Sequence, residues 1–247
     1  MNVISKYDLM KTKIYFLFTL LFYLQICQGQ NEYSFSQEAL LGQSVPRFYS
    51  TSVPLLPEVG KAFEKMQKAA RNAGIELEIV SAYRSYAQQQ SIWNRKYIAN
   101  AKKGLQPEEN IKKIIEYSTL PGTSRHHWGT DVDLIDGSKQ RNGDVLLTEK
   151  FHGDGPYISL RKWMDKNASK FGFFRPYTQD PDRKGFYYEP WHYSYAPLAI
   201  PMLKAYLKLD LNRLLIPESL EGIHAVNPEF LSQYISEHVL GIAPNLK

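Results

Sequence analysis

The chain has 247 residues, 43% of them hydrophobic and 22% charged, and a net charge of +5. This is ordinary globular material, long enough for one well-buried domain with at most a small appendage. No lysine/arginine stripe runs through it, which argues against a nucleic-acid binder, and a single cysteine, Cys27, excludes a disulfide-stapled fold.

The first residues form a separate object. Lys6, Lys11 and Lys13 precede the apolar run Ile14–Cys27. That run is shorter than the roughly 20 residues a spanning helix needs, and Cys27-Gln28-Gly29 offers a cleavage point after Gly29. Residues 1–29 therefore read as a secretory signal peptide, with an uncleaved membrane anchor as the alternative. The expected protein is exported, to the periplasm or beyond, with no stable membrane insertion once the leader is gone. Removing residues 1–29 takes away three lysines and one aspartate and leaves +3. Residues 30–54 are a polar, serine-rich lead-in.

Val59, Phe63, Met66 and Ala70 recur at helical spacing, which predicts a helix over Pro57–Ala73 with Gly74 as its C-cap. Ile75–Ser81 alternates as a half-buried strand. Ser85, followed three residues later by Gln88, opens a second helix through Trp93 and Tyr97 to about Lys103 as a capping box. Pro107–Tyr117 carries Ile111, Ile114 and Ile115 on one side. Pro121-Gly122 breaks the chain before His126-His127, and Asp131–Ile135 alternates as a strand. Ser159–Ser169 reads as a helix with Trp163 inward. Phe171–Tyr177 and Gly185–Tyr188 read as paired strands joined by the turn Thr178–Lys184. Ala196–Leu209 is helical, and Pro217–Lys247 forms a tail with one amphipathic helix at about Pro228–Leu240. Strands interleave with helices in hairpin-like order, which favours an α+β fold with a small antiparallel sheet flanked by helices.

The chemistry concentrates in two places. In Asp131-Val132-Asp133, period two puts both carboxylates on one strand face. His126 precedes them across the turn at Gly129, and a folded-back loop lets His126 and Asp133 share one metal ion. Far downstream, His192 follows Glu189 by three residues, and Pro190 forbids a regular helix between them. Two histidines and one carboxylate leave zinc an open coordination position, the arrangement of a catalytic site. A carboxylate beside that position that does not ligate suits a general base, and Glu189 is placed for it. A mononuclear iron site uses the same donors, but the many predicted helices argue against the all-β fold that usually carries it.

Three segments, 81-SAYRSYAQQQ-90, 124-SRHHWGTDVDL-134 and 189-EPWH-192, resemble the VanY-type D-alanyl-D-alanine carboxypeptidases, of the wider hedgehog/D,D-peptidase-like group of zinc peptidases. The family pattern is S-x-Y-R-S-x-x-x-Q, then S-x-H-x-x-G-x-A-x-D, then E-P-W-H. All three blocks occur here in order, spread over about Glu64 to Leu198, and 167-NASKFGFFRPY-177 between them is also typical. The resemblance implies a zinc ion held by His126, Asp133 and His192, with Glu189 as general base. It implies that Arg84 stabilises the scissile carbonyl oxygen and that Gln89 and Ser124 line the substrate site. Trp191 is expected to pack beneath the zinc site. His127 stands where the family often has glutamine. Asp131 stands where it usually has alanine, so it is expected either outside the ligand shell or paired with Arg125. The implied substrate is a peptidoglycan stem peptide, trimmed of its terminal D-alanine. An L,D-carboxypeptidase, an endopeptidase on the same scaffold, or a non-catalytic zinc-holding wall-binding module are the alternatives. The expected division is a leader at 1–29, a lead-in at 30–54, a catalytic domain at 55–212 and a tail at 213–247.

Overall fold

The computed structural model describes residues 34–216 and 219–247. The leader expected at residues 1–29 lies outside them. The description below concerns the unit from Phe35 to Lys247.

A short helical turn, α1 (Gln37–Leu40), is capped by the Ser36 hydroxyl, which accepts from the Ala39 N–H. Helix α2 (Pro57–Arg71) starts with proline at its first position, where the missing N–H costs nothing. It buries Val59, Phe63, Met66 and Ala70, the stripe legible in the sequence. Strand β1 (Leu77–Ser81) leads to α3 (Tyr86–Ala101), whose capping box between Ser85 and Gln88 is fully formed. Helix α4 (Pro107–Ile114) packs on α3. A tight turn over Arg125–Trp128 precedes strand β2 (Asp131–Asp136). Then come α5 (Ile158–Asn167), the two-residue strand β3 (Phe173–Phe174) and β4 (His192–Tyr195). The chain closes with α6 (Ala196–Tyr206), a short α7 (Leu211–Leu214) and α8 (Pro228–Tyr234). No helix among the described residues is long and apolar enough to cross a membrane.

The four strands form one antiparallel sheet in the order β1-β2-β4-β3. Strand β2 is central and buried along its whole length. Val132 and Leu134 sink into an apolar cluster with Phe63 and Met66 of α2 and Leu160 and Met164 of α5. Asp131 and Asp133 occupy the alternate positions, so their side chains leave the opposite face. The architecture is the expected α+β fold with a small antiparallel sheet flanked by helices.

Two local expectations are corrected. Phe171–Tyr177 and Gly185–Tyr188 do not form a hairpin. Phe173 and Phe174 instead pair with Tyr195 and Ser194 of β4. Gly185–Tyr188 forms no strand: the Tyr187 N–H donates to the Glu116 carbonyl instead of a ladder partner, and the tail backbone at Glu237 packs closely against Gly185. Trp163 is half-buried and stacks on Phe171, while Leu160 and Met164 turn inward.

The tail is built into the core. Leu220, Val226, Leu231, Tyr234, Val239, Ile242 and Leu246 join a second apolar cluster with Trp93, Ile111 and Met202. Helix α8 ends at Tyr234, and a wider turn of backbone, Ile235–Val239, completes the amphipathic segment. The buried Tyr234 hydroxyl accepts from the Leu120 N–H at 3.0 Å and lies 2.9 Å from Thr123 Oγ1. Thr123 in turn donates to the Leu120 carbonyl. Tyr234→Phe strands that buried N–H, which typically costs about 1–3 kcal/mol. Denaturant unfolding of this variant is expected to show a midpoint lowered accordingly, with an unchanged slope.

Candidate metal centre

Cross-strand register assembles the site. Asp133 of β2 lies directly opposite His192 of β4 and, across an irregularity between Ile79 and Ser81, opposite Ser81 of β1. Directly opposed residues share a sheet face, so Ser81, Asp133 and His192 form one row. The neighbouring row pairs Asp131 with Ser194.

His126 is brought to this row by the Arg125–Trp128 turn. That turn ends at Gly129 in a left-handed conformation, φ 65°, which glycine adopts without steric cost. His126 Nδ1 lies 2.7 Å from the Ala82 carbonyl, to which it donates, so Nε2 is the nitrogen turned to the site, 3.4 Å from Asp133 Oδ2. His192 is turned the other way: its Nε2 lies 2.9 Å from Asp131 Oδ2, so Nδ1 faces Asp133 Oδ1 at 3.6 Å and Glu189 Oε2 at 3.0 Å. One ligand atom each of His126, Asp133 and His192 falls within 4.8 Å of the others, and all three side chains are buried.

A metal fits these residues. Asp133 Oδ1 is buried without any hydrogen-bond partner, a costly state for a carboxylate oxygen and an ordinary one for a ligand. Each imidazole has its outer nitrogen tied to an oxygen acceptor, as ligating histidines usually do. Two imidazoles and one carboxylate suit zinc with a position left open.

The same cavity, about 520 Å³, is lined by Arg84, Ser124, His126, Asp133, Glu189 and His192. Arg84 donates to Gln89 Oε1 at 2.9 Å and to Ser81 Oγ at 3.0 Å and pairs with no carboxylate among the described residues. Gln89 is fully buried, and its amide donates to the Thr119 carbonyl and to Ser118 Oγ. The structure thus places Gln89 behind Arg84 as its brace, while Ser124 stands on the cavity wall. His127 points away: Nδ1 donates to the Arg84 carbonyl at 2.6 Å, and Nε2 accepts from the Gly122 N–H. It pins the Arg84 segment from behind. Trp191 packs on Phe151, and the ring edge-on to His192, 5.0 Å away, is Tyr177.

The sequence did not point to Lys96, Tyr117 or Tyr177 on the cavity wall. Lys96 was the findable one. It lies seven residues after Gln89, and Ile92 between them also lines the cavity, so one helix face carries all three.

Charge follows this geometry. Burial opposes a charge on His192, but hydrogen bonds to Asp131 and Glu189 and the charges of Asp133 and Asp131 outweigh it and push its pKa up to about 10. Burial likewise opposes ionisation of Asp131 and Asp133, yet Arg125 for the first and His126 for the second hold both carboxyls below their usual range. Burial, reinforced by the positive charge of Arg84, drops His127 to about 4, and desolvation does the same for His238.

The pH dependence of the metal-free protein follows. His192 titrates higher when folded than the roughly 6.5 of a free histidine, so its contribution is complete below pH 6.5 and disappears as pH rises toward 10. His127 and His238 titrate lower when folded, so theirs is present above pH 6.5 and lost as pH falls toward 4. With chelator present, thermal stability is expected to peak near pH 6.5 and fall toward pH 9. Zinc should remove the alkaline decline, because it competes with the same proton. A metal-free protein whose melting temperature rises from pH 6.5 to 9 contradicts this.

A family model described as VanY, D-alanyl-D-alanine carboxypeptidase, matches residues 53–198. The putative carboxypeptidase YodJ of Bacillus subtilis (strain 168) is 35% identical over 141 residues, 56% of this chain and 45% of that protein. A D-alanyl-D-alanine carboxypeptidase of Enterococcus faecalis (strain ATCC 700802 / V583) is 32% identical over 128 residues, 51% of this chain and 42% of its own. The chain thus spans less than half the length of either relative. Among solved structures, VanYB in complex with D-Ala-D-Ala is 25% identical with a TM-score of 0.48, over 65% of this chain and 82% of that one. The LdcB LD-carboxypeptidase is 25% identical with a TM-score of 0.47, over 79% of this chain and 77% of its own. The matched residues 53–198 contain every donor of the metal cluster together with Arg84 and Glu189, and on that match the chain belongs to the VanY D-alanyl-D-alanine carboxypeptidase family.

Proposed function

We propose that this chain is an exported zinc carboxypeptidase that removes the terminal D-alanine from peptidoglycan stem peptides. The observation that carries the reading is the convergence of His126, Asp133 and His192 with Glu189 and Arg84 on one cavity. His126 Nε2, His192 Nδ1 and an Asp133 oxygen would hold the ion. When bound, zinc supplies a Lewis acid and lowers the pKa of a coordinated water to about 7.

The chain's own residues supply the rest. Glu189 is 7% exposed, and its N–H is anchored on the Tyr177 carbonyl at 3.1 Å. A carboxylate fixed on the cavity wall takes a proton from the attacking water and returns it to the leaving amine of D-alanine. Gln89 and Ser81 hold the Arg84 guanidinium on the cavity wall, where it would face the scissile carbonyl oxygen as that atom gains negative charge. A preorganised donor there favours the transition state over the bound peptide. Ser124 adds a hydroxyl to the wall. The expected domain at 55–212 holds all these groups, and the tail at 213–247 supports the loop that leads into Ser124.

The test uses residues Gln30–Lys247, metal-free and then zinc-loaded, with a muropeptide ending in D-Ala-D-Ala. Mass spectrometry should record zinc-dependent loss of one alanine. Cleavage elsewhere in the stem moves the assignment to an L,D-carboxypeptidase or endopeptidase. Stoichiometric zinc without cleavage of any stem peptide leaves the wall-binding module.

A further inference from the structure

Behind His192 stands a buried polar network that the hydrolytic reading does not use. Asp131 is fully buried and makes four short contacts. One oxygen, Oδ2, lies 2.9 Å from His192 Nε2 and accepts from Arg125 Nε at 3.0 Å. The other, Oδ1, accepts from Thr130 Oγ1 at 2.7 Å and from Ser194 Oγ at 2.8 Å. Arg125 Nη2 closes the circuit by donating to Ser194 Oγ at 2.5 Å. Arg125 and Ser194 are themselves buried.

We propose that Asp131 is a positioning residue of the metal centre, holding His192 with its proton on Nε2 so that Nδ1 is the ligand atom, with Arg125, Thr130 and Ser194 fixing Asp131 in that task. The proposal rests on the zinc reading given above. Its physical content is direct. An imidazole has one lone pair to offer, and the hydrogen bond at the other nitrogen decides which nitrogen offers it. A carboxylate at that second nitrogen also makes the imidazole a stronger donor to a metal. Both oxygens of Asp131 are fully engaged, so it has no lone pair aimed at the cavity and is not a fourth ligand. Asp133, two residues on and with Oδ1 unpartnered, is the ligating carboxylate. The pairing is self-consistent in sequence terms: a buried aspartate at 131 needs Arg125 for its charge, and β-register places Ser194 directly across from it.

The test measures zinc affinity by competition with a chromogenic chelator, independently of turnover. Asp131→Asn keeps the shape and removes the charge. Its zinc affinity is expected to fall about 10- to 100-fold, the usual effect of losing an outer carboxylate. Because this variant leaves Arg125 buried without a counter-charge and can fail to fold, Arg125→Gln/Asp131→Asn, which removes both charges, is measured beside it, and the same loss is expected. Nitrogen-15 NMR of the zinc-loaded wild type provides a third readout. It should show His192 metallated at Nδ1 with a slowly exchanging, downfield Nε2 proton. Wild-type affinity in the doubly substituted protein, or coordination of zinc through Nε2 of His192, overturns the proposal. A wild type that binds no zinc overturns the zinc reading itself, and a wild type that binds zinc but cleaves nothing overturns only the hydrolytic part, so the three failures are distinguishable.

Discussion

Glu189→Gln is expected to abolish turnover while zinc stays bound. The substitution keeps the shape of a side chain that is buried on the cavity wall and hydrogen-bonded to His192 Nδ1 in the metal-free state. It removes only the capacity to accept and return a proton. Positioned proton transfer contributes about 10²- to 10⁴-fold to a rate, so kcat should drop by that order. KM should change little, because no attraction to the ground-state peptide is lost. Metal analysis should return one zinc per chain, as for the wild type. Steady-state kinetics on the D-Ala-D-Ala muropeptide decides the matter: a glutamine variant within about tenfold of wild type rules Glu189 out as the base.

Asp133→Ala should fail one step earlier, at the metal. Asp133 is the only carboxylate in the three-donor cluster and sits in the ladder directly opposite His192. Loss of an outer partner typically costs 10–100-fold in metal affinity. Loss of a ligand should exceed about 100-fold, and the purified variant should carry little zinc and show no measurable hydrolysis. The fold is expected to survive, because Val132 and Leu134 carry the strand's apolar burial, and circular dichroism checks this. The two variants separate the roles: one keeps zinc and loses chemistry, the other loses both. A zinc-replete, active Asp133→Ala protein moves the ligating carboxylate elsewhere.

Much of the site was legible because its parts are carried by local rules. The capping box at Ser85 fixes where α3 begins and so where Arg84 stands. The period of a strand puts Asp131 and Asp133 on one face, although it does not say which binds a metal. That choice depends on what reaches each carboxylate from elsewhere: Arg125 and Ser194 at Asp131, and His126 at Asp133. Gln89 illustrates the same limit. Its place on α3 was readable, but its direction depends on Ser118 and Thr119 some thirty residues away. The missed hairpin has a comparable cause. Gly185–Tyr188 is aromatic and short like a strand, yet its Tyr187 N–H goes to the Glu116 carbonyl and the backbone around Glu237 packs against Gly185. A segment's own pattern does not reveal which remote backbone takes its hydrogen bonds.

The hydroxyl of Tyr234 has a consequence for how the protein is made. It holds Leu120 and Thr123, partners 114 and 111 residues earlier in the chain, and these lead straight into Ser124 and His126. Synthesis runs from the N-terminus, so every metal donor leaves the ribosome before the residue that steadies the loop carrying one of them. A nascent chain that has reached residue 212 already contains His126, Asp133 and His192, but not the Tyr234 hydroxyl that holds Leu120 and Thr123. The loop before Ser124 therefore gains its hydroxyl clasp only after more than a hundred further residues have been added.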